Sequence, residues 1–171
     1  MEFTRHHAQF FTATILEWKH LLKPSKYKDI IMESFRFLTN DQRLQINAFV
    51  IMNNHIHTIW QIMGRHKRED VQRDFLKYTA QHIKSDLRIR HPSFLEAFKV
   101  NAKDREYQIW ERNSLSVDLY SAHVFFQKFE YIHFNPVKAG ICELPEDYKY
   151  SSARFYLTGK DDFGFIRHYD E

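Results

Sequence analysis

Two histidines separated by one residue, His55-Ile56-His57, sit within a stretch rich in apolar and β-branched residues. Side chains alternate between the faces of a strand, so both imidazoles point one way and Ile56 the other, and a single metal ion can reach both rings. Taken alone the pair is a weak signal, because a half-exposed pair without a ligand is the commoner case. Tyr131 and Asn135 supply a second pair. Four residues apart on a helix, they stack on one face, about 6 Å apart along the axis. At about 100° per residue Tyr131 lies away from Ala122, Phe125 and Phe129, and its helical neighbours are Gln127, Lys128 and Asn135. A tyrosine so placed is either a surface or hydrogen-bonded structural residue or a nucleophile.

The elements that must carry these residues can be read from pattern and punctuation. Residues 9–18 (QFFTATILEW) read as a strand stopped near Pro24. A helix follows, with Ser25 as N-cap and Tyr27, Ile30, Ile31, Ser34, Phe35 and Leu38 at helical spacing. Residues 45–62 form either two paired strands or one long strand, closed by Gly64. A second helix repeats Val71, Phe75, Tyr78, Thr79, Ile83 and Leu87, with Asp70 at the capping position and Pro92 at its end. Residues 106–110 (EYQIW) suggest a short strand. A last helix over 121–134 carries Ala122, Phe125, Phe126, Phe129 and Ile132, and stops before Pro136, since the residue preceding proline avoids the helical region. The order β, α, β(β), α, β, α fits an α+β, ferredoxin-like layer of mainly antiparallel sheet with helices packed on it.

Composition bounds the function classes. The chain has 171 residues, 43% hydrophobic and 27% charged, which is one domain's worth of ordinary globular usage. Its single cysteine, Cys142, excludes an internal disulfide and a Cys-rich zinc site and fits a reducing compartment. With no leader-like N-terminus and no long apolar run, a cytoplasmic protein without membrane partners is expected. The net charge of +3 is mild, but residues 61–90 hold eight basic side chains against four acidic ones. Arg65, Lys67, Arg68, Arg73, Lys77 and Lys84 make this helix the best surface for a nucleic-acid backbone, although a solvated charged face explains them equally well. Residues 141–171 carry an acidic excess, so phosphate contacts belong elsewhere. A 16% aromatic share can fill a core or stack on unpaired bases.

Together, MNNHIHTIW (52–60), YIHFNPVKAGI (131–141) and EDYKYSSARFY (146–156) resemble the REP-associated tyrosine transposases, a branch of the single-tyrosine HUH transposases. The resemblance spans about residues 8–158, with the three blocks in the family's order and spacing. It implies the HUH endonuclease fold in one domain, 1–171, with 142–171 as a family-like C-terminal tail. By it His55 and His57 match the metal ligands, Asn135 matches a third ligand position commonly held by glutamine, and Tyr131 matches the nucleophile that takes the 5′ phosphate and leaves a free 3′ hydroxyl. Members often read Met-Pro-Asn-His where this chain has Met52-Asn53-Asn54-His55.

A divalent ion on two imidazoles and an amide keeps positions open for a phosphodiester, and Mg²⁺ or Mn²⁺ suits such a set. Single-stranded or hairpin DNA is the expected partner, with monomer or homodimer left open. Two other readings compete: a non-catalytic module that recognises hairpins, and a metal-dependent RNA nuclease in which the histidines act as acid and base and Tyr131 is structural. His133 is expected to be structural, Tyr148, Tyr150, Ser151 and Ser152 to serve packing and turns, and His6 and His7 to be disordered.

Overall fold

A computed structural model describes residues 7–171. Its elements are β1 (Ala8–Thr14), α1 (Ser25–Asn40), β2 (Leu44–Ile51), β3 (His55–Ile62), α2 (Arg68–Arg90), a short α3 (Pro92–Leu95), β4 (Leu115–Asp118), α4 (Ala122–Lys138) and a short α5 (Ala153–Thr158). The strands form one sheet in the order β2-β3-β1-β4, every neighbour antiparallel, so the fold is α+β with an open antiparallel sheet. Residues 45–62 are therefore two paired strands. A tight turn joins them, in which the Met52 N–H donates to the His55 carbonyl at 2.8 Å.

Strand alternation divides the apolar residues between two cores. Phe11, Ala13, Ile56, Trp60 and Ile62 face α1 and α2, meeting Tyr27, Ile31, Phe35, Phe75, Ile83 and Leu87. Phe10, Ala48, Val50 and Ile59 face the other way, against Ile132, Phe125 and Phe129 of α4. A register shift between Ile46 and Ala48 in β2 lets both Ile46 and Phe49 reach the first core. Ring stacking of Phe11 on Trp60 (4.5 Å) and of Phe35 on Phe75 (5.3 Å) holds α1 and α2 in place. Because His55 and His57 share the parity of Ile59, both histidines lie on the α4 side.

Several local expectations are corrected. β1 ends at Thr14, and a 3-10 turn follows at Leu16–Trp18. Ser25 is the first helical residue, Pro24 precedes it, and no side chain caps α1. Asp70 lies inside the first turn of α2, which starts at Arg68 without a side-chain cap, and Asp70 pairs instead with Arg73. Residues 106–110 make only isolated bridges, Lys99 to Tyr107 and Ile15 to Trp110, and the edge strand forms at Leu115–Asp118 because that segment docks on β1. α4 is capped by Ser121 and continues through Pro136 to Lys138. Proline forfeits one bond to the Ile132 carbonyl, and its buried ring in the final turn offsets that loss. His6 lies outside the described residues, whereas His7 packs edge-on against Tyr120.

The segment after α4 stitches it to the sheet. The Tyr148 hydroxyl donates to the Ile51 carbonyl (2.6 Å), Ser152 Oγ accepts from the Phe49 N–H (2.9 Å), and His133 Nε2 lies 2.7 Å from Ser152 Oγ. His133, buried by this packing, has its pKa pushed down to about 4. Among the described residues no helix is long and apolar enough to cross a membrane.

Candidate active site

β3 begins with His55, and α4 crosses the same face of the sheet, so the two predicted pairs meet across one short gap. The His55 and His57 ring centroids are 4.7 Å apart, and the Tyr131 ring lies 5.2 Å from that of His57. Phe10 stacks on His57 at 5.2 Å and meets Tyr131 edge-on at 6.1 Å. Asn135, one turn after Tyr131, comes near His55, where its side chain opposes the effect of burial on the ring. Tyr131 itself is 42% exposed, open to a substrate while its ring is held on one side.

The turn before His55 settles its tautomer. Asn54 Nδ2 donates to the Trp18 carbonyl at 3.3 Å, and a carbonyl only accepts, so the amide can face just one way. Its Oδ1 therefore points at His55 Nδ1, 2.7 Å distant, and Nδ1 must carry the proton. The lone pair of His55 is left on Nε2. Thr12, opposite His57 in the β1–β3 register, sets its hydroxyl 2.7 Å from His57 Nδ1. The other ring nitrogen, His57 Nε2, is buried with no hydrogen-bond partner among the described residues. A buried nitrogen left unpaired is costly unless something occupies it. Burial lowers both histidines from the usual range: His57, pressed further by His55 and Lys128, is held down to about 3, and the Asn135 contact partly opposes the shift at His55.

These features fit a divalent ion. Two neutral imidazoles, His55 with its proton on Nδ1, and the Asn135 amide beside them would make an uncharged donor set that leaves the ion's charge for an anionic ligand. Among the described residues no group of three or more His, Cys, Asp or Glu side chains is placed to hold a metal, and an ion bound here would rest on the two histidines with Asn135 beside them.

Sequence reasoning passed over several residues here. Lys128, Tyr131, Asn135 and Lys138 are spaced three, four and three along α4, which is one helical face. Lys128 Nζ and Lys138 Nζ lie 5.9 and 6.0 Å from the Tyr131 ring centroid, so two cations flank the phenol. That spacing was visible in the sequence. Thr12, Asn54 and Lys28 were not, because their roles depend on strand register and on a turn. Lys28 is 5% exposed, and its ammonium donates to the carbonyls of Leu22 (2.6 Å) and Lys23 (3.1 Å) and to Asn53 Oδ1 (3.1 Å), anchoring the turn that leads into His55.

The proposed DNA-backbone residues are not brought to this site. α2 covers the opposite face of the sheet, through Val71, Phe75, Thr79, Ile83 and Leu87. Arg65 and Lys67 lie exposed in the turn before it, and Lys77 is exposed further along. Arg73 is paired with Asp70 (2.9 Å) and Asp74 (3.3 Å), Arg68 with Glu69 (3.3 Å), and Lys84 is half-buried. Any strand that contacts both α2 and Tyr131 has to pass around an edge of the sheet.

No family model and no curated protein matches the chain by sequence. Among solved structures, a REP-associated tyrosine transposase bound to a REP hairpin superposes with a TM-score of 0.67 at 18% identity, over 98% of this chain and 89% of that one. A second structure, from Deinococcus radiodurans and provisionally assigned as a transposase, gives 0.49 at 14% identity over 72% and 87% of the two chains, too loose a fit to argue from. The first likeness is one of fold, and the fold is the one the resemblance in sequence implies.

Proposed function

We propose that this chain is a single-tyrosine transposase-type enzyme that nicks and rejoins single-stranded, hairpin-associated DNA, with Tyr131 as nucleophile and His55, His57 and Asn135 as ligands of Mg²⁺ or Mn²⁺. The observation that carries the reading is the convergence of two neighbouring imidazoles, an amide and an accessible phenol between β3 and α4. A fold shared with a hairpin-bound REP-associated tyrosine transposase supports the same class of substrate.

An ion held by His55, His57 and Asn135 would supply charge neutralisation for the phosphate. The remaining steps belong to the chain. Lys128 and Lys138 add positive charge beside the phosphate that Tyr131 meets. The Tyr131 oxygen forms a bond to phosphorus as the bond to the 3′ oxygen breaks, the phenol proton passes to solvent, and the departing 3′ oxygen takes up a proton. The product is a 5′-phosphotyrosine and a free 3′ hydroxyl, and attack of a 3′ hydroxyl on that linkage reverses the reaction and rejoins a strand.

Tyr131→Phe deletes one oxygen that makes no hydrogen bond to another described residue. A labelled single-stranded hairpin oligonucleotide, incubated with Mn²⁺ and run on a denaturing gel, should give a protein–DNA adduct with the wild type. The Phe variant should bind comparably, form no adduct and cut at least about 10³-fold more slowly. Cleavage without any adduct would favour the hydrolytic nuclease, and binding without cleavage by the wild type would favour the non-catalytic module.

A further inference from the structure

Immediately before the site, the chain does something its packing does not require. Glu17 and Trp18 adopt consecutive left-handed backbone conformations, φ 55° and 57°, which residues bearing a Cβ avoid. Three bonds hold them there: Glu17 N–H to Glu111 Oε1 (2.6 Å), Trp18 N–H to the Ile15 carbonyl (2.9 Å), and the Asn54 amide to the Trp18 carbonyl (3.3 Å). The outcome is an indole 59% exposed to solvent, whereas the other two tryptophans, Trp60 and Trp110, are buried. Its position is set relative to the candidate metal site, because the Trp18 ring centroid lies 5.8 Å from that of His55. The same Asn54 amide that holds the Trp18 backbone also fixes the His55 ring. Exposure by itself is ordinary for an apolar side chain on this surface, but here two strained residues hold a flat indole beside the candidate metal site, and strain of that kind marks positions that meet ligands.

We propose that Trp18 is a stacking platform for the unpaired base next to the scissile phosphate. The inference rests on the proposed single-stranded substrate and adds a subsite to it. A flat exposed indole takes any base through its π-face, and only a base free of its own stack can use it. With the phosphate held between His55 and Tyr131, the neighbouring nucleotide reaches Trp18 on the His55 side. A duplex end keeps its bases stacked on one another and cannot.

Intrinsic fluorescence reads this contact apart from cleavage, because Trp18 is the exposed indole among three. In the Tyr131→Phe background, titration with an unpaired-arm hairpin oligonucleotide should quench emission, and Trp18→Phe should abolish that quenching. Trp18→Ala should weaken binding of the same oligonucleotide by about 5- to 100-fold while leaving the melting temperature unchanged. An abasic site stepped through the unpaired arm should reproduce the loss at one position in the Trp18 protein and have no effect at that position in Trp18→Ala. Duplex binding should be indifferent to the substitution. Affinity within twofold of the Trp18 protein, or quenching that survives Trp18→Phe, overturns the inference. A wild-type enzyme that forms no adduct fails the proposed function instead, a result this titration does not depend on.

Discussion

Replacing Lys28 by methionine tests whether a buried ammonium outside the candidate metal site sets that site's geometry. Three donors meet three acceptors there, the Leu22 and Lys23 carbonyls and Asn53 Oδ1, and the amine is 5% exposed. Burial lowers the Lys28 pKa, which registers the desolvation of its charge. That penalty, several kcal/mol, roughly cancels three charge-assisted bonds of about 1.5–3 kcal/mol each, so the ammonium by itself is close to neutral for stability. The acceptors it leaves behind decide the sign. Methionine fills the space but donates nothing, and two backbone carbonyls held near a thioether cost about 1–3 kcal/mol apiece. A net destabilisation of about 2–4 kcal/mol follows once some water enters. For a chain of this size that is a fall of about 5–15 °C in melting temperature, at about 2–4 °C per kcal/mol. Since Asn53 is released with it, and Asn54 orients His55, Mn²⁺ affinity measured by calorimetry should also drop by about tenfold. Asn53→Ala, which removes one acceptor and leaves both carbonyls paired, should melt much nearer the wild type. A Lys28→Met protein that melts within about 2 °C of wild type and binds Mn²⁺ equally well would refute the reasoning.

Thr12→Val keeps the shape of the side chain but withdraws the hydroxyl from His57 Nδ1, so Mn²⁺ affinity should fall about 10- to 100-fold with little change in melting temperature, and an unchanged affinity in calorimetry would count against that contact's part in orienting the ring. Acid should weaken the fold through His133: its folded pKa of about 4 lies below the unfolded value near 6.5, so its contribution is complete above pH 6.5 and is lost as the pH falls from there towards 4. Between pH 7 and 5 this amounts to about 2 kcal/mol, His57 acts in the same direction, and urea midpoints that stay flat across that window in metal-free protein would contradict it.

Periodicity carried the sequence far on the fold. An i, i+2 pair on a strand has a common face whatever surrounds it, which is why His55 and His57 were legible as neighbours, and an i, i+4 pair on a helix is equally constrained, which is why Tyr131 and Asn135 were. The misplacements fell where long-range packing overrides local preference: Pro136 stays inside α4 because its ring is buried, and the edge strand forms at Leu115–Asp118 because that segment is the one that finds β1.

By itself, then, the sequence determined the α+β alternation, the two side-chain pairs and the resemblance that joins them, because each depends on repeats of two or about four residues along one segment. Only the tertiary structure decided that α4 crosses the His55 face while α2 lies on the other, that Asn54 and Thr12 meet the Nδ1 atoms of His55 and His57, and that Lys28 and Trp18 belong to the site's surroundings. Those facts depend on sheet order, strand register and backbone dihedrals in a turn, where segments tens of residues apart meet, and no pattern within a single segment encodes such a meeting.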